Sequence, residues 1–249
     1  MLKVEQLHVE VGTFQLRGVE LELERGEVLG VLGPNGSGKS TFLKSLLNLY
    51  PIRNGTVTID ERNVQKMTAS ERARHMTLLS QMKTWTMAQT VYDLVEAARY
   101  AVRTHDAKHE QAIINNVLQQ FELSAYKNRP LAHLSGGELQ RAYMAKAFAQ
   151  EVDLILFDEP TTHLDLHYRA QFFEQLLYVK RANKASIVIV HDVNDAIHYC
   201  DRVLVLREGS PIAYGQPVDV LTQSFVEQLY EVTMTSVIDP RNGMTKYLY

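Results

Sequence analysis

The chain has 249 residues, 26 lysines and arginines against 29 aspartates and glutamates, and a formal net charge of -3. Apolar residues make up 45% and charged residues 22%, which excludes a disordered chain, and the near-neutral balance gives no global pull toward nucleic acid, so no nucleic-acid partner is expected. A single cysteine, Cys200, excludes an internal disulfide and a cysteine-based zinc cluster. No apolar run reaches the ~18 residues of a membrane span, and Met-Leu-Lys-Val-Glu is no signal-peptide core. The arithmetic alone predicts a soluble intracellular protein, complete in itself.

Residues 2–9 and 14–23 alternate apolar and polar, as half-buried strands do. Val28–Leu32 is an apolar run ending at glycine, the pattern of a central strand buried on both faces. Thr41–Leu49 carries a helical apolar face, and Thr56–Asp60 and Met76–Ser80 read as further strands. Of the 13 glycines, four fall in residues 30–38 and none lies between Gly55 and Gly136. Glycine costs a helix about 1 kcal/mol relative to alanine, so that long gap predicts helix. Residues 90–123 supply it, with Val91, Leu94, Val95 and Ala98 on one face, then Ile113, Val117, Leu118 and Phe121, until Pro130 breaks the stretch. Beyond it come a helix at 137–149, a strand at Leu154–Phe157, an amphipathic helix at 166–181, and strands at Ser186–Val190 and Arg202–Leu206. Strands alternating with helices predict an α/β sheet of parallel strands, with ligands at the strand C-termini. Val232–Ile238 and Met244–Leu248 flank Asp-Pro-Arg-Asn-Gly as a terminal hairpin. The expected division is an α/β core at 1–81 and 150–249 and a helical insertion at 82–149.

Three motifs carry chemistry. The first is Gly33, Pro34, Asn35, Gly36, Ser37, Gly38, Lys39, Ser40 and Thr41, which matches GxxxxGK[ST] between a buried strand and a helix. Its glycines let successive backbone N–H groups face phosphate oxygens, and the helix start adds positive potential. Lys39 then reaches the β- and γ-phosphates, and the Ser40 hydroxyl can ligate Mg²⁺. The second is the strand Leu154–Phe157, ending in Asp158 and Glu159. There Asp158 suits the metal, through water, and Glu159 suits the general base for an attacking water. The third is His191, at the end of the next buried strand, able to hold the γ-phosphate and that water. Plain alternatives exist for each: a tight strand-to-helix turn, solvated carboxylates, a helix cap with an incidental histidine. Each weakens once all three motifs share one chain.

Leu134-Ser135-Gly136-Gly137-Glu138-Leu139-Gln140-Arg141 precedes the acidic strand, and here the whole chain resembles the ATP-binding-cassette (ABC) ATPases, whose signature is LSGGQ or LSGGE. Gln81 fits the family's glutamine loop, as a catalytic residue and metal ligand. Thr162-His163-Leu164-Asp165 fits its D-loop, and His191 its switch histidine. The resemblance implies an α/β fold: a P-loop NTPase core with a mixed/parallel sheet, an antiparallel β subdomain and an inserted α-helical subdomain. It implies ATP and Mg²⁺ as ligands. Ser135, Gly136, Gly137 and Glu138 open the helix at 137–149 and so offer a second anion-seeking N-terminus, although the plain reading, a helix capped by Ser135 with Glu138 three residues on, holds as well. In the family this second cradle, with Asp165, caps ATP bound by the opposite subunit. A head-to-tail homodimer is therefore implied.

One departure concerns the base. Where the family carries an aromatic residue that stacks on adenine, this chain has Val11-Gly12. Phe14 is the available substitute, and weakened stacking would leave ATP and GTP poorly discriminated. Two histidine pairs, His105/His109 and His163/His167, have helical metal spacing but no evident third ligand, and are set aside. Trp85 is read either as packing on the helical lobe or as a contact to a membrane partner. Without a membrane domain, transport implies separate permease subunits, an extracytoplasmic substrate-binding protein and a peripheral position on the cytoplasmic face of the inner membrane. Thr161–Tyr168 and the segment from Gly215 most resemble ATPases of iron-siderophore, haem and cobalamin importers. The alternatives are an exporter ATPase and a soluble ABC ATPase of assembly or repair; a fused pair of cassettes is excluded by the single set of motifs.

Overall fold

The computed structural model describes residues 1–80, 88–161, 165–241 and 243–248. Gln81, Trp85, Thr162, His163 and Leu164 lie outside the described residues. β1 (Leu2–Val11) and β2 (Phe14–Leu23) pair antiparallel around the turn at Gly12. Their alternation is not continuous: Leu2 and Val4 are buried, and then Leu7 and Val9 are buried one residue out of phase. A bulge between Val4 and Leu7, with Gln6 at φ 44°, absorbs the extra residue and turns both pairs inward. Gly55 faces that bulge at φ +87°, where a Cβ would come within 2.2 Å of the Gln6 carbonyl oxygen.

β3 (Val28–Leu32) leads into α1 (Lys39–Leu46). β4 (Ile52–Ile59) starts earlier than the expected Thr56, because it pairs with β1 from Val9↔Ile52 onward and draws the turn-like Arg53-Asn54-Gly55 into the ladder. β5 (Arg62–Asn63), α2 (Ala69–Ala73) and β6 (Met76–Ser80) follow. The stretch expected as helix over 90–123 is two helices, α3 (Val91–Arg99) and α4 (Ala107–Gln120). The break occurs where Asp106 caps the second, accepting the N–H groups of Lys108 and His109. α5 (Gly136–Ala149), β7 (Leu154–Asp158), α6 (Leu166–Arg181), β8 (Ala185–Ile189), α7 (Val193–Tyr199) and β9 (Arg202–Arg207) complete the α/β order. β10 (Ser210–Gly215), α8 (Pro217–Val220), α9 (Gln223–Tyr230) and the hairpin β11 (Thr235–Ile238) with β12 (Thr245–Leu248) close the chain.

Two larger sheets result. One is antiparallel, in the order β2-β1-β4-β5; the other runs β10-β9-β3-β8-β7-β6, parallel except at the β10 edge. The parallel strands separate two cores. Leu29, Val31, Leu156, Ile187 and Leu204 face α1 and the antiparallel sheet, while Val28, Phe157, Val188 and Val203 face the helices. Burial on both faces is why these strands read as unbroken apolar runs, each such side chain contributing roughly 2 kcal/mol.

The helices α3, α4 and α5 form a lobe tied together by one buried cation. The Arg99 guanidinium, 2% exposed, donates to Glu110 (Nε to Oε2, 2.7 Å), to the Ala149 carbonyl at the end of α5 (2.6 Å) and to Glu151 (2.6 Å). The Arg99 bond to Glu110, with Thr104 donating from both its N–H and its hydroxyl, holds the Glu110 carboxyl down at about 2 against the opposing effect of burial. Among the described residues, no helix is long and apolar enough to cross a membrane.

Candidate nucleotide site

The C-terminal edge of the parallel sheet gathers the sequence motifs. β3 delivers the phosphate loop, in which Gly33, Gly36 and Gly38 take φ values of 140°, 78° and 105°. These angles are open to glycine and costly for other residues. Two of the three are enforced sterically as well. A Cβ on Gly33 would lie 2.0 Å from the Leu206 carbonyl oxygen, and one on Gly38 would lie 2.7 Å from the Phe14 ring. Gly38 is also the N-cap of α1, and no side chain caps that helix, so its first N–H groups are left to a ligand. Lys39, only 6% exposed, donates from Nζ to the carbonyls of Gly33 (2.7 Å) and Pro34 (3.0 Å). Burial lowers the pKa of this ammonium, against the opposing pull of Glu159.

The Ser40 hydroxyl donates to Asp158 Oδ1 at 2.8 Å, joining the start of α1 to the end of β7. Glu159 follows in the left-handed region at φ 54°, a conformation that strains a non-glycine residue. Its Oε1 lies 3.5 Å from His191 Nε2, and both side chains are about two-fifths exposed, at 40% and 41%. His191 follows β8, whose end is fixed where the Val190 N–H donates to Val31 on β3. Three neighbouring strands thus bring the phosphate loop, the Asp158–Glu159 pair and His191 to one place. Phe14, Asn35, Gly38, Lys39, Ser40 and Glu159 share an open cleft of about 290 Å³, and Asn35, Glu159 and His191 share the adjoining one with Thr161.

Arg169 and Asp195 line that second cleft and were not singled out by sequence reasoning. Arg169, on α6, donates to Asp192 (2.6 Å) and Asp195 (2.5 Å), clamping the first turn of α7 directly behind His191. Asp192 caps α7 by accepting the Asn194 N–H at 2.8 Å. Burial outweighs the arginine at Asp195 and raises its carboxyl to about 6. The plain reading of the stretch after His191 as a helix cap fits Asp192, but nothing local marked a partner 23 residues upstream.

The signature residues stand on the helical lobe. Ser135 caps α5 through a reciprocal box: its hydroxyl accepts the Glu138 N–H at 3.3 Å, and its own N–H donates to Glu138 Oε2 at 2.7 Å. The backbone bond from Ser135, reinforced by its hydroxyl, lowers the Glu138 pKa. Gly136 and Gly137 lie under the Tyr168 ring, where a Cβ would approach to 3.3 and 2.8 Å. Asp165 caps α6 by accepting the Tyr168 N–H at 3.0 Å. The first residues of α6 and of α5 are therefore in direct contact.

Residues 16–162 match the ABC transporter family. The petrobactin import ATP-binding protein FpuC of Bacillus anthracis is 34% identical over 88% of this chain and 82% of its own length. The hemin import ATP-binding protein HmuV of Pseudomonas fluorescens is 34% identical over 98% and 97%. Among solved structures, an inward-facing transporter of metal-chelate type superposes with a TM-score of 0.86 over 99% of this chain and 96% of its own, at 24% identity, a likeness of fold. With a phosphate loop seated beside a strand-end carboxylate pair and a capped LSGGE helix on the neighbouring lobe, the chain belongs to the ABC transporter family, whose nucleotide-binding domains are ATPases.

Proposed function

We propose that this chain is the ATP-hydrolysing subunit of an importer for a metal chelate of the iron-siderophore, haem or cobalamin kind. The observation that carries the reading is the convergence of Lys39, Ser40, Asp158, Glu159 and His191 on one sheet edge. The import ATP-binding relatives support the direction and the substrate class.

The phosphate loop, residues 33–41, binds the nucleotide phosphates through its backbone N–H groups and Lys39. Ser40 and Asp158 are oxygen donors already in contact, the chemistry Mg²⁺ selects, and Gln81 is the further ligand in this reading. Bound there, Mg²⁺ supplies positive charge against the β- and γ-phosphates. Glu159 accepts the proton of the attacking water, while His191 orients that water and the γ-phosphate beside it. Phe14, packed over Gly38, is the platform for the base. Ser135, Gly136, Gly137, Glu138 and Asp165 complete the site of a second copy, in a head-to-tail homodimer. The division into a core at 1–81 and 150–249 and a helical insertion at 82–149 belongs to the same reading. Permease subunits and an extracytoplasmic binding protein complete the transporter, with this chain peripheral on the cytoplasmic face of the inner membrane.

Glu159→Gln tests the chemistry. Hydrolysis falls about a thousandfold, the range of a lost general base, while ATP binding persists and an ATP-bound dimer accumulates in size-exclusion chromatography. Turnover at the native rate removes Glu159 from the role. Co-purification with a polytopic membrane protein tests the transport assignment, and a chain never found in a membrane fraction speaks for the soluble alternative.

A further inference from the structure

The C-terminal segment plays no part in the chemistry above, yet it touches the site at two points. The first is on α7. The Asn194 carboxamide donates from Nδ2 to the Tyr247 carbonyl at 3.0 Å and accepts the Tyr247 N–H on Oδ1 at 2.8 Å. This two-bond ring is the pairing a neighbouring strand residue would make, so a side chain of α7 extends the β11–β12 hairpin as its next strand would. Asn194 lies in the first turn of α7, two residues after the Asp192 cap and three after His191. The hairpin is itself anchored, since the buried Tyr247 donates its hydroxyl to the Leu221 carbonyl at 2.6 Å.

The second point is on the phosphate loop. α9 ends at Tyr230, where Glu231 takes the left-handed C-cap at φ 57°. Tyr230 and Glu231 border one cleft with Pro34, Asn35, Gly36 and Ser37; burial raises the pKa of the Tyr230 hydroxyl, and the Gly33 backbone beside it opposes that rise. Gly33 is already pressed against the Leu206 carbonyl, so its backbone has little room to move away from the tyrosine.

We infer that the C-terminal segment is a positioning element of the ATP site, attached to the histidine side through Asn194 and to the phosphate side through Tyr230. This rests on the reading of the site as an ATPase. Neither residue touches the reacting atoms. Asn194 sets the orientation of the turn that carries His191, and Tyr230 holds the entry of the phosphate loop in its binding shape. The two attachments predict different kinetic signatures.

The test compares three purified variants with the wild-type chain for ATP affinity, steady-state hydrolysis and thermal midpoint. Asn194→Ala lowers kcat about fivefold at unchanged KM, the scale of one or two lost hydrogen bonds, and Tyr230→Phe, which removes the hydroxyl beside the phosphate loop, weakens ATP binding and raises KM about fivefold at unchanged kcat. Asn194→Asp, which keeps an acceptor for the Tyr247 N–H, recovers part of the turnover. Gln223→Ala, which removes a bond to the Met234 carbonyl inside the segment, lowers the thermal midpoint without changing either constant. The inference is overturned if Asn194→Ala and Tyr230→Phe lower the thermal midpoint but keep wild-type kinetics, or if Gln223→Ala shifts the kinetics equally. A wild-type chain that neither binds nor hydrolyses ATP overturns the reading of the site, and this inference with it.

Discussion

Two helix N-termini carry the roles proposed for this chain, and they are built in opposite ways. α1 begins at Gly38 with no capping side chain, its N–H groups open above a glycine loop. α5 begins at Ser135 inside a closed capping box, and its far end is also satisfied, because Arg99 donates to the Ala149 carbonyl. An uncapped end forgoes stability and gains a place for an anion; a capped end is a rigid part that holds its shape unaided. The contrast matches the proposed roles. The first end must take up and release a nucleotide, and the second must arrive preformed at a site built by another copy.

The comparison can be broken from either side. The largest effect expected is at the buried tie of the helical lobe. Glu110→Gln leaves the buried Arg99 with one anionic partner, Glu151, instead of two and destabilises the chain by about 3 kcal/mol in urea unfolding at pH 7. The Glu110 carboxyl is lowered in the folded state from 4.5 to about 2. Its contribution is therefore present above pH 4.5 and is lost as pH falls toward 2, so the stability gap between wild type and variant narrows across that window. An unchanged gap would show that the lobe does not depend on this carboxylate's charge.

At the open end, Gly38→Ala forces a Cβ into the Phe14 ring at φ 105°. ATP affinity is expected to fall about a hundredfold, through backbone strain of a few kcal/mol, as read by equilibrium binding. At the closed end, Ser135→Ala removes the cap at a cost of about 1 kcal/mol, a drop of about 3 °C in the thermal midpoint. Binding of ATP to the isolated monomer stays unchanged. A variant at Ser135 that weakened monomer binding would erase the distinction between the two ends.

The two ends were legible in the sequence for the same reason. Phosphate loops and capping boxes are written in consecutive residues, since their geometry depends on local φ values and on N–H groups a few positions apart. The strand ends at Asp158 and His191 were legible because burial on both faces leaves apolar runs that stop abruptly at a polar residue. Pairings across the chain were not. Nothing near Arg169 announces Asp192 and Asp195, and nothing near Arg99 announces the Ala149 carbonyl. Asn194 reads as an ordinary helix residue until the hairpin is placed beside it. The early start of β4 was hidden because Arg53-Asn54-Gly55 has the chemistry of a turn, and only the bulge in β1 makes it a strand. Gln81 and three residues of the D-loop fall outside the described residues, so their assignment stands on resemblance to the family.

Glu159 occupies a left-handed conformation that glycine adopts freely. Replacing it with glycine would relieve about 1 kcal/mol of backbone strain, while removing the carboxylate proposed to take the proton of water. Selection for thermal endurance and selection for turnover therefore pull this position in opposite directions. A library of variants enriched only for heat resistance would drift toward glycine at 159, and its survivors would be sturdier proteins that had stopped working.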